Sequence, residues 1–231
     1  AVKKFVEEVN AILKETHDAY STAPLKSSGN NGYEPLSDED KQGMSESQIT
    51  AYEEKAKTGL LYGDRDLNQL YNALRSAVTG SGLDTGILRD IGLTTSYADG
   101  LTTLNLDEDK LRSALEADPN QVRDAFTKTV DSGFSTDGLM AKIKSVTDKY
   151  ASTSIGSYGT LVKKAGTKTK SLTLLDNEMQ KLYDNYQKQI ETWQTKMSDK
   201  IDYYTNQFTQ LEKLMNQMNS QSSALSGLMG Y

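Results

Sequence analysis

Cysteine is absent from this 231-residue chain, and histidine occurs once. Disulfides, thiolate nucleophiles, Cys/His zinc sites and any catalytic scheme that needs two histidines are therefore excluded. Proline is scarce, at 3 residues, and no run approaches the ~18 consecutive apolar residues of a membrane span. The start shows no charged segment followed by an apolar one, as a secretory leader would. The chain reads as soluble, and a beginning at Ala1 inside a helical pattern reads as a piece of a longer protein. An excess of positive charge is also missing: 26 Lys and Arg against 32 Asp and Glu leave a net charge of -6 and a pI near 5.0. A binder of the phosphate backbone of nucleic acid needs the opposite balance. What remains is 36% apolar with 17 glycines, enough chain for one large domain or two small ones. Few core formers and few helix breakers suit helices with one buried face.

Val2, Phe5, Val6, Val9, Ile12 and Leu13 step by three and four, which predicts a helix with one apolar side. Pro24, Gly29, Asn30, Asn31 and Gly32 then make a loop between Ser21 and Tyr33. Ser37 caps a short acidic helix, and Ser45 caps a second that carries Ile49, Tyr52, Glu53 and Ala56 up to Gly59. Asp64 caps a third, with Leu67, Leu70, Tyr71, Leu74 and Val78 as its stripe and Gly80 and Gly82 as its stop. Around the turn Asp99-Gly100, Ile91, Leu93, Thr95, Leu101, Thr103 or Leu104, and Leu106 predict a small hairpin near 91–106. Asp107 caps a helix through Leu111, Leu115 and Ala117 that Pro119 ends. Val122, Ala125 and Phe126 mark a short helix, and Leu139, Ile143, Val146 and Tyr150 mark another after Gly138. A Ser/Gly patch, Ser152 to Gly159, follows. Phe5, Val9, Leu67, Leu70, Leu74, Leu115, Phe126, Ile143 and Val146 are expected to share one core.

The last segment differs in kind. From about Leu161 to Leu228 there is no proline, and apolar residues step by three or four from Leu172 through Leu175, Met179 and Leu182 to Leu225. This is the pattern of a long amphipathic helix with a coiled-coil-like seam. Two pairs of consecutive four-residue steps, Leu182–Tyr186–Ile190 and Trp193–Met197–Ile201, unwind a left-handed supercoil locally. The second half runs beyond what the short helices can cover, and an apolar stripe left in water gains nothing. The candidate interface residues are Tyr186, Ile190, Trp193, Met197, Ile201, Tyr204, Phe208, Leu211, Met215, Met218 and Leu225.

Other motifs favour ordinary readings. Counted as a calcium loop from Asn105, Asp107 and Asp109 fit, but Lys110 stands where glycine is required; Asp107 reads as a cap. His17, beside Glu15, Asp18 and Tyr20, reads as a surface histidine. Gly80-Ser81-Gly82 and Gly156-Ser157-Tyr158-Gly159 lack the lysine or downstream acid of a phosphate loop and read as helix stops. Asp64 with Asp66, and Glu53 with Glu54, sit in first turns or on polar faces without an apolar pocket to raise a pKa. No catalytic residue, metal ligand or cofactor is assigned.

Several strings, in this order, resemble the C-terminal part of the bacterial flagellar filament cap family, hook-associated protein 2. They are Phe5-Val6-Glu7-Glu8-Val9-Asn10-Ala11-Ile12, Tyr33-Glu34-Pro35-Leu36, the segment Ala51 to Leu61 with Gly63-Asp64, Ile91-Gly92-Leu93-Thr94-Thr95, Leu104 to Leu111 with Ala117-Asp118-Pro119, and Met218 to Leu225. The resemblance covers nearly the whole chain, but the family's N-terminal helix arm and β-rich head are not in it. It implies that the arm pairs with the C-terminal helix. It implies a mainly α-helical bundle over 1–165 with one small β-hairpin, then a long C-terminal coiled-coil helix over 166–231 that drives assembly. It also implies a structural, non-enzymatic subunit of a homo-oligomeric ring, secreted to the extracellular tip of the flagellum. Flagellin and the hook-filament junction protein are the expected partners, with no nucleic acid and no membrane insertion. A junction protein or flagellin would share the long helix; the Leu104–Leu111 sequel to the hairpin favours the cap. A carboxylate-dependent hydrolase is the remaining alternative and requires a close, buried Asp/Glu pair.

Overall fold

The computed structural model describes residues 1–26, 32–80, 85–132 and 136–230. Gly29, Asn30 and Asn31 of the first expected loop, and Ser81 and Gly82 of the expected stop, lie outside the described residues. The chain divides into two compact units, Ala1–Lys163 and Lys164–Tyr231.

In the first unit, α1 (Val2–Ser21) buries Val6, Val9, Leu13 and Thr16 on one face, while Ile12 is 42% exposed. The short α2 (Asp38–Lys41) and α3 (Glu46–Lys57) begin at Ser37 and Ser45, each closing a reciprocal capping box with the side chain three residues on. Lys41 and Glu53 join them at 3.2 Å. α4 (Arg65–Thr79) starts at Asp64, whose Oδ1 accepts from the N–H groups of Asp66 and Leu67, and buries Tyr71, Leu74, Ala77 and Val78. A six-residue helix that periodicity does not announce, α5 (Thr85–Asp90), leads to Ile91, which is fully buried.

The expected hairpin follows as β1 (Leu93–Ala98) and β2 (Leu101–Leu106), antiparallel with Leu93 opposite Leu106 and Ala98 opposite Leu101. Asp99 and Gly100 both have positive φ, 50° and 83°, the type I′ geometry that matches the right-handed twist of the strands. α6 (Glu108–Ala117) and α7 (Pro119–Thr127) start at Asp107, which accepts from the Lys110 N–H, and at Asp118, which accepts from the N–H groups of Asn120 and Gln121. α8 (Leu139–Ala151) follows and buries Leu139, Ile143 and Tyr150. The Ser/Gly patch is not a helix stop but a second, two-residue hairpin, β3 (Thr153–Ser154) with β4 (Ser157–Tyr158). After it come α9 (Thr160–Ala165), α10 (Ser171–Leu175) and α11 (Glu178–Met229).

One core joins α1, α4, α7, α8 and the first hairpin. Val9, Leu74, Phe126 and Ile143 are buried in it, and Phe5, Leu70 and Val146 pack half-buried against it, as expected. Leu67 is half-buried outside that cluster. Leu115 departs from expectation at 44% exposed: α6 turns Leu111 and Ala114 toward the core. Leu115 instead borders a surface groove of about 300 Å³ with Phe5, Phe126 and Met140.

The hairpin has a problem of its own. β2 pairs with β1 on one side only, and its other edge is turned inward: Thr102 is 2% and Leu104 3% exposed. Buried backbone N–H and C=O groups need partners. Asn10 of α1 supplies both at Leu104, its Nδ2 donating to the carbonyl at 2.8 Å and its Oδ1 accepting from the N–H at 2.8 Å. The Tyr71 hydroxyl of α4 accepts from Thr102 N–H at 2.9 Å and donates to the Gly100 carbonyl at 2.6 Å. That second bond draws the turn over the end of α1 and corrects the surface reading of His17. Its side chain is 15% exposed, with ring centroids 5.6 Å from Tyr20 and 5.3 Å from Tyr71. A Cβ on Gly100 would lie 2.9 Å from His17 Nε2, so glycine serves both the positive φ and the close approach.

Replacing Asn10 with Ala leaves two part-buried backbone groups unpartnered at ~1–3 kcal/mol each, and should destabilise the first unit by about 2 to 6 kcal/mol in urea unfolding. That is comparable with the ~2–5 kcal/mol expected for Leu74→Ala, a core truncation. Thr102→Val should act oppositely. Its hydroxyl is buried without a hydrogen-bond partner among the described residues, so the isosteric methyl removes an unmet polar group, and the melting temperature should rise rather than fall.

Candidate assembly interface

α11 is built to be continuous. Asn177 caps it, its Oδ1 accepting from Gln180 N–H at 2.8 Å, and Glu178 puts negative charge at the positive helix end. No proline interrupts its 52 residues, and Gly227 is its one glycine; at ~1.5 Å rise per residue it extends about 78 Å. Thr192, Thr195, Thr209 and Ser220 donate their hydroxyls to the carbonyls four residues back. These bonds satisfy the hydroxyls within the helix itself.

The helix begins at Glu178 rather than at residue 166, where the expected C-terminal segment starts. Gly166 has φ +72°, and a Cβ there would sit 2.4 Å from the Thr173 carbonyl oxygen. Thr173 Oγ1 accepts from Thr167 N–H at 2.9 Å and donates to the Lys170 carbonyl at 2.7 Å. Asn177 Nδ2 donates to the carbonyls of Thr173 and Leu174 at 2.9 and 3.0 Å. Thr173 and Asn177, 5% and 6% exposed, thus form a polar knuckle that breaks the helix and restarts it at Glu178. Asp176 accepts from Lys181 across that restart at 2.6 Å, which raises the Lys181 pKa.

Every residue of α11 except Gln180 is exposed. The eleven candidate residues, Tyr186, Ile190, Trp193, Met197, Ile201, Tyr204, Phe208, Leu211, Met215, Met218 and Leu225, range from 49% exposed at Ile190 to 69% at Phe208. At ~100° per residue they fall within an arc of roughly 120°, so the helix does bring them to one face. The Lys196 ammonium lies over the Trp193 ring at 4.6 Å, and that of Lys200 over Tyr203 and Tyr204 at 5.5 and 5.8 Å, cation–π contacts along the helix.

The seam has two periods. From Met179 to Ile201 it steps 3-4-4 twice, an 11-residue repeat that runs straight or slightly right-handed; from Ile201 to Met229 it alternates 3 and 4, the 7-residue repeat of a left-handed coil. Ser222 is the polar member of the second part. Sequence reading missed Leu214 and Leu228, 57% and 85% exposed. They lie beside the seam rather than on it, and a search for one stripe passes over them.

Acid-base chemistry has no comparable construction among the described residues. The shifted pKa values trace to exposed pairs and caps: the Lys3–Glu108 hydrogen bond raises the lysine and lowers the glutamate, Lys14 lowers Asp18, and Ser37 lowers Asp40. Burial raises Tyr20. Glu53 is held between Lys41 and Lys57, and Asp64 and Asp107 serve as caps. Among the described residues no group of three or more His, Cys, Asp or Glu side chains converges as a metal cage, and no helix is long and apolar enough to cross a membrane.

A family model described as Flagellar hook-associated protein 2 C-terminus matches residues 1–220. The chain is 30% identical to the flagellar hook-associated protein 2 of Halalkalibacterium halodurans over 97% of its length, which is 43% of that relative. It is 34% identical to the Escherichia coli protein of that name over 74% of this chain and 33% of the relative. The Thermotoga maritima protein is 27% identical over 97% of this chain and 32% of the relative. The chain therefore spans less than half the length of these relatives. No solved structure matches it.

The two units should part in hydrogen exchange on the isolated chain. Amides between Tyr204 and Leu225, with no buried side chains beside them, are expected to exchange fast, and those of Leu13, Tyr71 and Leu139 slowly. Equal protection along the chain would contradict an unpartnered α11.

Proposed function

The chain belongs to the flagellar hook-associated protein 2 family, and from that premise we propose that it is a structural subunit of the filament cap. In this reading the protein acts extracellularly at the flagellum tip, in a homo-oligomeric ring under which exported flagellin folds and inserts. Flagellin and the hook-filament junction protein are its neighbours there. Its work is mechanical and needs no cofactor. Residues 1–165 are the bundle that sets the subunit's shape, and 166–231 are the assembly element.

The observation that carries the reading is the exposed apolar face of α11. At ~25 cal/mol per Å² its burial is a considerable driving force, and the bundle has a core of its own. The eleven seam residues are therefore the proposed interface, covered in the assembly by the subunit's N-terminal arm, a neighbouring subunit or filament subunits. Met197, Met215 and Met218 suit an interface that adapts to nonidentical neighbours.

Leu211→Asp with Met215→Asp places two carboxylates on the seam. In the full-length protein this double variant should abolish filament growth and swimming, while circular dichroism and melting of the first unit stay nearly unchanged. Loss of the whole fold would instead assign the tail to the bundle core, and normal filament growth would remove the assembly role.

A further inference from the structure

We infer that the outer edge of β1, from Leu93 to Ala98, is a docking site for an extended acidic segment of another polypeptide, which adds to the first hairpin as a third strand. The site lies on the first unit and uses no residue of the α11 seam.

The ladder shows which groups the edge offers. In an antiparallel pair, residues directly opposite each other either exchange both backbone bonds or turn both sets of groups outward. On β2, Thr102 and Leu104 turn theirs away from β1, since they are bonded to Tyr71 and Asn10. Their partners across the ladder are Tyr97 and Thr95, so these two turn their N–H and C=O groups away from β2. Asn10 and Tyr71 close the inner edge of the hairpin; nothing among the described residues closes the outer one. Two such sets of groups, roughly 6.8 Å apart along β1, match the repeat of an added strand.

The edge also lacks what usually prevents pairing. Native edges are blunted by proline, charged side chains, bulges or a covering element. β1 reads Leu-Thr-Thr-Ser-Tyr-Ala, pairs without a bulge at every position and is exposed from Thr94 to Ala98. Threonine and tyrosine are strand formers.

The surroundings choose the partner. Opposite residues share a sheet face, so Thr95 and Tyr97 stand on the same side as the buried Leu104 and Thr102. A groove of about 350 Å³ runs between β1, the end of α4 and α5, floored by the buried Val78, Leu88, Leu93 and Leu104. An added strand turns every second side chain to that side. Arg89 lines the groove, and Arg75 lies over the Tyr97 ring at 5.1 Å. Both are exposed, and neither has a carboxylate partner among the described residues. On a chain of net charge -6, two such cations beside an open edge select acidic residues in the arriving strand, with an apolar one entering the groove.

Nuclear magnetic resonance of the intact chain, titrated with a capped heptapeptide that alternates threonine with valine and aspartate, tests this. The amides of Thr95 and Tyr97 should shift and exchange more slowly, while those of Thr102 and Leu104 keep their protection. The same peptide with lysine in place of aspartate should bind about tenfold more weakly. Arg75→Glu with Arg89→Glu should reverse that preference and keep the fold, since both side chains are exposed. Thr95→Pro removes an outward N–H that the β1–β2 ladder does not use, and should abolish the response. A peptide N-methylated at every residue that binds as well as the parent would overturn strand addition. Equal binding of the aspartate and lysine peptides would overturn the acidic choice. Shifts confined to another surface, or none at millimolar peptide, would overturn the site. Leu211→Asp with Met215→Asp should leave this binding unchanged, so its outcome is separate from that of the seam.

Discussion

The first unit depends on how one strand edge is satisfied. A two-stranded hairpin packed into a helical bundle must bury one row of backbone donors and acceptors, and helices cannot extend a β-ladder. Here the row is met by side chains, Asn10 at Leu104 and Tyr71 at Thr102 and Gly100. Those bonds fix the distance of the hairpin from α1 and α4, so that Leu93 and Leu104 enter the same core as Val9, Leu13 and Leu74. They also seat the turn over His17. An apolar core tolerates some sliding of one helix over another; a pair of bonds from one amide to one residue's N–H and C=O does not.

That constraint accounts for the division of labour among the helices. α1 and α4 carry the polar anchors and much of the buried surface, whereas α2, α3 and α6 bury no residue fully: α2 and α3 carry caps and ion pairs such as Lys41–Glu53, and α6 adds Lys3–Glu108 to the half-buried Leu111 and Ala114. Exposed pairs of this kind contribute little stability. The outer helices are therefore less constrained by burial, and the hairpin with its two anchoring helices is the rigid reference.

Local chemistry was the legible part of the sequence. Ser37, Ser45, Asp64 and Asp107 cap helices because a short side-chain oxygen next to a first turn has one favourable use. Asp99-Gly100 turns a hairpin because few dipeptides accept positive φ twice. What stayed hidden depends on partners distant in the chain. Asn10 sits on a helix whose apolar pattern is complete without it, and its role appears only once Leu104, 94 residues away, is beside it. His17 lies among charged residues and is covered by residues from two other elements. Leu115 has the spacing of a core residue, yet α6 is rotated so that Leu111 and Ala114 face inward instead. The knuckle at 166–177 escaped notice because threonine and asparagine there bond to the backbone locally, and apolar periodicity does not register such bonds.

The same contrast explains why the face of α11 could be read so directly. A buried face also depends on neighbours that the local sequence does not name, as Leu115 shows. The face of α11 needs no residue distant in the chain to define it, and its three-and-four repeat is written in the sequence with few exceptions. The change from an 11-residue to a 7-residue repeat at Ile201 then has structural content: the apolar stripe runs nearly straight along the first part and winds left-handed along the second. One helix thus carries two periods in series. The polar knuckle at its base, hydrogen-bonded within itself, restarts the helix at Glu178 without drawing on seam residues. All of the seam from Met179 onward is exposed.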